Sequence, residues 1–156
     1  MNGMLEIVFE GVQLNHLAGL VMDYICEEGN ISEATQDGIY VPSKYIIDPA
    51  YWEGIGSATE DTACTVNLRT IKIGGKSVDM ATLRIIHYSN VNDVSVLLSS
   101  IDCKRVGLSD SDGIYHWARD ISGKFGVENF YGGVEPASDE DMRLFSKNGI
   151  GLIQKL

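Results

Sequence analysis

Apolar residues recur along this chain at two spacings, and each spacing predicts a different element. Leu5-Glu6-Ile7-Val8-Phe9 predicts a short first strand, and Leu14, Leu17, Ala18, Val21, Met22 and Ile25 form the stripe of an amphipathic helix ending near Gly29. Later the period becomes two. Cys64, Val66 and Leu68 alternate with Thr65, Asn67 and Arg69, and Ile71 and Ile73 lead into Gly74-Gly75, a hairpin signal. Leu83 and Ile85 flank Arg84, and a third apolar run covers 94–101. A three-stranded antiparallel meander accounts for this stretch, with a short helix over 79–87 as the other reading of its middle.

Ile114, Trp117, Ala118 and Ile121 predict a second helix, capped by Ser111 or Asp112 and stopped at Gly123. Residues 123–136 hold four glycines and read as loop. Ser138-Asp139-Glu140-Asp141 predicts a third helix, with Arg143 and Lys147 at its other end, and Ile150, Leu152 and Ile153 a last strand. Residues 38–56 hold two of the three prolines and no sustained period, so they read as extended segment and turns. The expected fold is α+β: one domain over 1–156, an antiparallel sheet made of the meander at 62–101 plus terminal strands, and about three helices.

Composition supports a folded chain: 156 residues, 44% hydrophobic, mean hydropathy -0.01. Charge narrows the partners. Twelve Lys and Arg face 22 Asp and Glu, a formal charge of -10, which disfavours direct binding to nucleic acid or to anionic membranes. Residues 1–62 hold eleven acids against Lys44 alone, while 63–156 hold eleven of each sign, so the net charge sits in the first two fifths. No basic leader and no run of about 20 apolar residues is present, and the expected compartment is the cytoplasm. Cys26, Cys64 and Cys103 are odd in number and lack a C-x-x-C pair, which points to reduced thiols, and neither a metal nor a cofactor is expected. The Asn30-Ile31-Ser32 sequon carries no weight in a chain that is not secreted.

Several stretches imitate chemical motifs. Gly75-Lys76-Ser77 ends like a phosphate loop, but Thr70 stands where its first glycine belongs and the context is a hairpin. Gly54-Ile55-Gly56 is followed by Thr59 in place of the third glycine of a dinucleotide fingerprint. Asp110, Asp112 and Gly113 fit the middle of a calcium loop, whose first and last ligands would be Leu108 and Arg119. A capped turn explains that stretch better. His116 and Asp120, four apart on the second helix, have the spacing of an oriented general base, with no nucleophile tied to them. His16 reads as helix surface and His87 as an ordinary strand residue.

Concentrated acid beside dense aromatics remains. Asp23, Glu27, Glu28, Glu33, Asp37 and Glu53 surround Tyr45, Tyr51 and Trp52, and Tyr and Trp are favoured interface anchors because they bury large area at little rotamer cost. Aromatics packed on their own sheet would look the same. The expected function is inhibition by binding: an acidic surface over about residues 23–61 docks a basic protein partner, with carboxylates taking the places of phosphates if that partner is a nuclease. In size and charge the chain resembles bacterial immunity proteins and other toxin inhibitors, and no residue motif carries that resemblance. The other readings are a small α+β enzyme using a His and a carboxylate, and an oligomeric subunit packing through Tyr51 and Trp52.

Overall fold

Nine strands form one antiparallel sheet in the computed structural model, which describes residues 3–108, 111–138 and 140–150. In chain order the elements are β1 (Met4–Glu10), α1 (Leu14–Ile25), a 3-10 turn (Glu28–Asn30), β2 (Ile31–Gln36), β3 (Ile39–Tyr40), α2 (Ser43–Ile46) and α3 (Pro49–Gly56). Then come β4 (Thr62–Ile73), β5 (Lys76–Tyr88), β6 (Val91–Ser99), α4 (Ser100–Arg105), α5 (Ser111–Phe125), β7 (Asn129–Val134), β8 (Arg143–Ser146) and β9 (Gly149–Ile150). Across the sheet the order is β3-β2-β4-β5-β6-β1-β7-β8-β9. The fold is α+β, as the alternation implied.

The meander is β4–β5–β6, and the stretch 79–87 is strand throughout, pairing Val66 with Leu83 and Cys64 with Ile85. The first strand lies inside the sheet, between β6 and β7. Period two puts Leu5, Ile7, Phe9, Cys64, Val66, Leu83, Ile85, Val94 and Val96 in the core, where Leu17, Leu20 and Val21 of α1 and Ile114 and Ala118 of α5 join them. Phe9, Tyr24 and Trp117 form a ring cluster with centroids 5.5–6.2 Å apart, joining sheet, α1 and α5.

Five local expectations are corrected. The first helix ends at Ile25 because Cys26 turns left-handed (φ 65), so Glu27 and Glu28 lie beyond it rather than in its last turn. Residues 38–56 are largely helical. Asp48 accepts a hydrogen bond from the Ala50 amide at 3.0 Å and Pro49 occupies the first turn, so Asp-Pro marks a helix start there. The third helix expected from Ser138 is a 3-10 turn (Glu140–Met142) followed by β8, since Leu144 and Phe145 are both fully buried. Its glycine-rich neighbour, expected as loop, is β7, where Gly132 makes room for the Phe145 ring. The second helix also runs through Gly123 to Phe125. Of the last strand, Ile150 lies in β9, while Leu152 and Ile153 lie outside the described residues.

Two buried polar side chains tie helices to strands. Asn30 Nδ2 donates to the carbonyls of Ile25 and Thr70 at 2.9 and 2.8 Å, and Asn30 Oδ1 accepts from the Thr70 amide at 3.0 Å. The sequon asparagine is thus fully used in joining the end of α1 to β4. His87 is buried, not an ordinary strand residue: its ring nitrogens lie 2.8 Å from Asn92 Oδ1 and 2.8 Å from the Ala58 carbonyl oxygen, which fixes the α3–β4 connection to the sheet.

At the β7–β8 contact a Cβ on Gly133 would overlap the Met142 carbonyl oxygen and lie 2.7 Å from Arg143 Cα. Gly133→Ala should therefore destabilise the fold by about 1–3 kcal/mol in denaturant unfolding. Gly54→Ala, in a helix with open space around the added methyl, should stabilise by roughly 0.5–1 kcal/mol. Equal effects of the two substitutions would refute this packing.

Candidate partner-binding surface

Trp52 determines how the acidic end of the sheet is built. Its side chain is 0% exposed, and Nε1–H donates to the Ile46 carbonyl at 2.8 Å, locking α2 to α3. Trp52 is therefore a core residue, and the sequence reading of it as a partner anchor, or as an oligomer contact, is corrected. Tyr51 is half-buried. Its ring meets Trp52 edge-on at 4.9 Å, and its hydroxyl donates to Gln36 Oε1 at 2.9 Å and lies 3.5 Å from Cys64 Sγ. Burial and the Cys64 contact push the Tyr51 phenol up from its ordinary value, and burial pushes the Cys64 thiol up as well. The raised pKa disfavours the thiolate at Cys64, and burial likewise pushes the Cys103 thiol up to about 11.

Tyr45 is 47% exposed at the surface of α2, with Lys44 Nζ 5.1 Å from its ring centroid. Asp37 and Gly38, at φ 51 and 82, form the tight turn between β2 and β3. Asp37 accepts from the Ala63 amide at 2.9 Å and from Thr62 Oγ1 at 2.7 Å, and these bonds, the backbone one foremost, hold its carboxyl below the ordinary range. Glu28 accepts from Ser43 Oγ at 3.0 Å, joining the 3-10 turn to α2. Glu33 is exposed on β2 and Glu53 on α3. Asp23 stands apart from this set: Lys124 Nζ of α5 lies 3.2 Å from it and offsets its charge.

From 27 to 61 the chain carries Glu27, Glu28, Glu33, Asp37, Asp48, Glu53, Glu60 and Asp61 against Lys44, a net charge of -7, and all eight acids are exposed. None of the eight takes part in any of the ion pairs found among the described residues. Asp37, Glu60 and Asp61 line a cleft of about 590 Å³ floored by Tyr51, Ile55 and Ala58. The Asp37-Gly38 dipeptide brings Ile39 and Tyr40 to this end, both strongly exposed; Tyr40 belongs to the dense aromatics of 38–56 without having been among the expected anchors, and Ile39 was not read as a site residue at all. A two-residue Asp-Gly link between Thr35-Gln36 and Ile39-Tyr40 was the available signal.

The catalytic reading finds no support in the geometry. His116 pairs with Asp112, one turn earlier, at 3.4 Å, while Asp120 lies 3.9 Å from Arg119. His116 is exposed and lines none of the clefts near Met80, Tyr51 and Cys26. Among the described residues no group of three or more His, Cys, Asp or Glu is placed to hold a metal ion, and no helix is long and apolar enough to cross a membrane.

The chain is thus an antiparallel sheet backed by helices, with eight exposed acids over 27–61 that join none of the ion pairs found among the described residues. A family model described as PABL017 Cdi1I immunity protein matches residues 3–150, and the chain belongs to that family. It is an immunity protein, an inhibitor and not an enzyme. Among solved structures the chain is similar to one in a crystal structure of the toxic C-terminal tip of CdiA from Pseudomonas aeruginosa in complex with immune protein. That match has 26% identity and a TM-score of 0.75, and covers 98% of this chain and 99% of that one. No curated protein matches.

Asp37 supplies a pH test of this end of the molecule. Its carboxyl is held below the unfolded value of about 3.9, so its hydrogen bonds stabilise the fold fully above that pH, and the contribution is lost as pH falls through the depressed value. Asp37→Asn should flatten the fall in Tm below about pH 4. An acid limb identical to that of the wild type would refute the role.

Proposed function

We propose that this immunity protein neutralises the toxic C-terminal tip of a CdiA-like protein by docking a basic surface of that tip onto its acidic end. The observation that carries the reading is the set of eight exposed acids over 27–61, none of them in an ion pair among the described residues. Asp37, Asp48 and Glu28 make hydrogen bonds that serve the fold, but the carboxylates of Glu27, Glu33, Glu53, Glu60 and Asp61 take no part in the hydrogen bonds or ion pairs found among the described residues, and an excess of like charge works against the folded chain. A cationic partner accounts for them. It is steered toward the surface before contact, and its Lys and Arg offset the repulsion on docking. A toxin that acts on nucleic acid has a phosphate-binding surface of the required sign, and the carboxylates occupy the places of phosphates. The encounter takes place in the cytoplasm of the cell that makes the immunity protein. The similar crystal structure, a toxic CdiA tip with its immune protein, supports the partner class.

Co-expression with a panel of CdiA toxic tips, including the Pseudomonas aeruginosa one, should identify a tip from which this chain rescues growth. Replacing Glu27, Glu28 and Glu53 together by Lys should slow association with that tip on the order of tenfold or more at low salt and weaken its salt dependence. Rescue and association rates untouched by the triple substitution would remove the acidic end from the mechanism.

A further inference from the structure

The β2–β3 hairpin holds two large apolar side chains in water. Ile39 is 73% exposed and Tyr40 66%. They lie opposite Gln36 and Thr35 respectively, so they project from opposite faces of the ribbon, and β3 is the outermost strand of the sheet. The Val41 amide donates inward to the Ala34 carbonyl at 2.9 Å, and antiparallel alternation then turns the Tyr40 N–H and C=O outward from the sheet edge. A partner that touches both side chains has to close around this edge.

Edge strands are ordinarily blunted by charged side chains or covered by another element. β3 is short and followed by Pro42, which limits indiscriminate strand pairing, yet both of its side chains are apolar. Surrounding charge identifies the occupant. With a net charge of -7 over 27–61, a second copy brought to this edge would meet strong repulsion, and an anionic membrane or a nucleic acid would meet the same sign. A protein with an apolar cleft and a cationic rim is complementary in both respects.

We propose that the free β3 edge anchors the toxin: Ile39 and Tyr40 enter an apolar cleft on the toxin whose rim carries Lys and Arg. The inference rests on the toxin-binding reading above and divides the work within it. Acids set the association rate, and the buried apolar pair sets the residence time.

The test measures binding kinetics, at two salt concentrations, between the immunity protein and the CdiA tip it neutralises. Ile39→Ser/Tyr40→Ser should raise the dissociation rate about thirtyfold while changing association less than about threefold. Tyr40→Phe, which keeps the ring, should leave dissociation within about threefold of the wild type. Both residues are exposed, so the unfolding midpoint of each variant should match the wild type. The single variants Ile39→Ser and Tyr40→Ser give the same readout should the double one misfold. A dissociation rate unchanged in the Ser variants, with the wild type binding normally, overturns the anchor and leaves the toxin reading intact. A wild-type dimer in light scattering that the Ser variants abolish also overturns the anchor, assigning the edge to a second copy. A wild type that neutralises no tip overturns both.

Discussion

The apolar face of β1, β4, β5 and β6 has to be kept from water, and the covering of that face decides where the rest of the chain goes. Leu5, Ile7, Val66, Leu83, Val94 and Val96 are buried on it, each worth about 1.5–3 kcal/mol of transfer free energy against exposure. α1 and α5 cover part of it with their apolar stripes, and α3 completes the layer with Trp52 and Ile55. Because Trp52 Nε1–H also holds the Ile46 carbonyl, the burial that seals the core fixes α2 and α3 as one unit. Glu53 and Asp48 face solvent for the same reason that Trp52 does not. On a short helix, seating one side in the core commits the other side to water.

Charge is unevenly distributed along the chain, with eight acids against Lys44 over 27–61. Among the described residues, five acids outside the 27–61 stretch have cationic or histidine neighbours, Glu6 with Arg84, Asp23 with Lys124, Asp102 with Arg105, Asp112 with His116 and Asp120 with Arg119, whereas Glu10, Asp79, Asp93, Glu128 and Glu135 join none of these pairs. Exposed pairs of this kind contribute little stability, about 0–1 kcal/mol each, but they keep local charge near balance. Over 27–61 the acids outnumber their cations: Lys44 lies within the stretch, and β4 brings Arg69, whose Nε donates to the Gly29 carbonyl at 3.2 Å, and Lys72, which lines a cleft with Glu27, yet none of the eight acids joins an ion pair found among the described residues. Asp37 is the clearest case: the Ala63 amide and the Thr62 hydroxyl donate to its ionised form and hold its carboxyl below the ordinary range, so its charge persists to lower pH than that of a free Asp.

Legibility in the sequence followed the range of the interactions. The meander could be read because β4, β5 and β6 pair with their chain neighbours and each buries one face, so alternation survives in the sequence. The place of β1 could not. It pairs with β6 and β7, about 90 and 125 residues away, and no local pattern records that choice. α3 was hidden because eight residues are barely two helical turns, and Asp48-Pro49 serves both as a turn signal and as a helix start. β8 was hidden by acids that imitate a helix N-terminus, whereas the deciding fact is the space that Gly132 leaves for Phe145. At the candidate site the acids were legible as charge, since charge needs no partner to be counted. The aromatics were not: Trp52, Tyr51 and Tyr45 are close in sequence, yet they are buried, half-buried and exposed, a distinction that depends on which face of α2 and α3 meets the core.

That last distinction bears on how such a protein can change partners without losing its fold. The core residues and the exposed residues of the acidic end share short elements but not side chains: Trp52 and Ile46 point in, while Ile39, Tyr40, Tyr45 and Glu53 point out. Substitutions at exposed positions away from caps and turns typically shift stability by no more than about 0.5 kcal/mol, and distant sites add independently. The surface can therefore be rewritten residue by residue while the sheet persists. A chain only 26% identical to this one that keeps the same topology at a TM-score of 0.75 is what such independence allows. Asp37, Asp48 and Glu28 are exceptions, because each carries exposed charge and also accepts a hydrogen bond that holds the fold: Asp37 from Thr62 and Ala63, Asp48 from the Ala50 amide and Glu28 from Ser43. A change at Asp37 alters the hairpin turn together with the surface charge, so surface and stability are coupled at these positions.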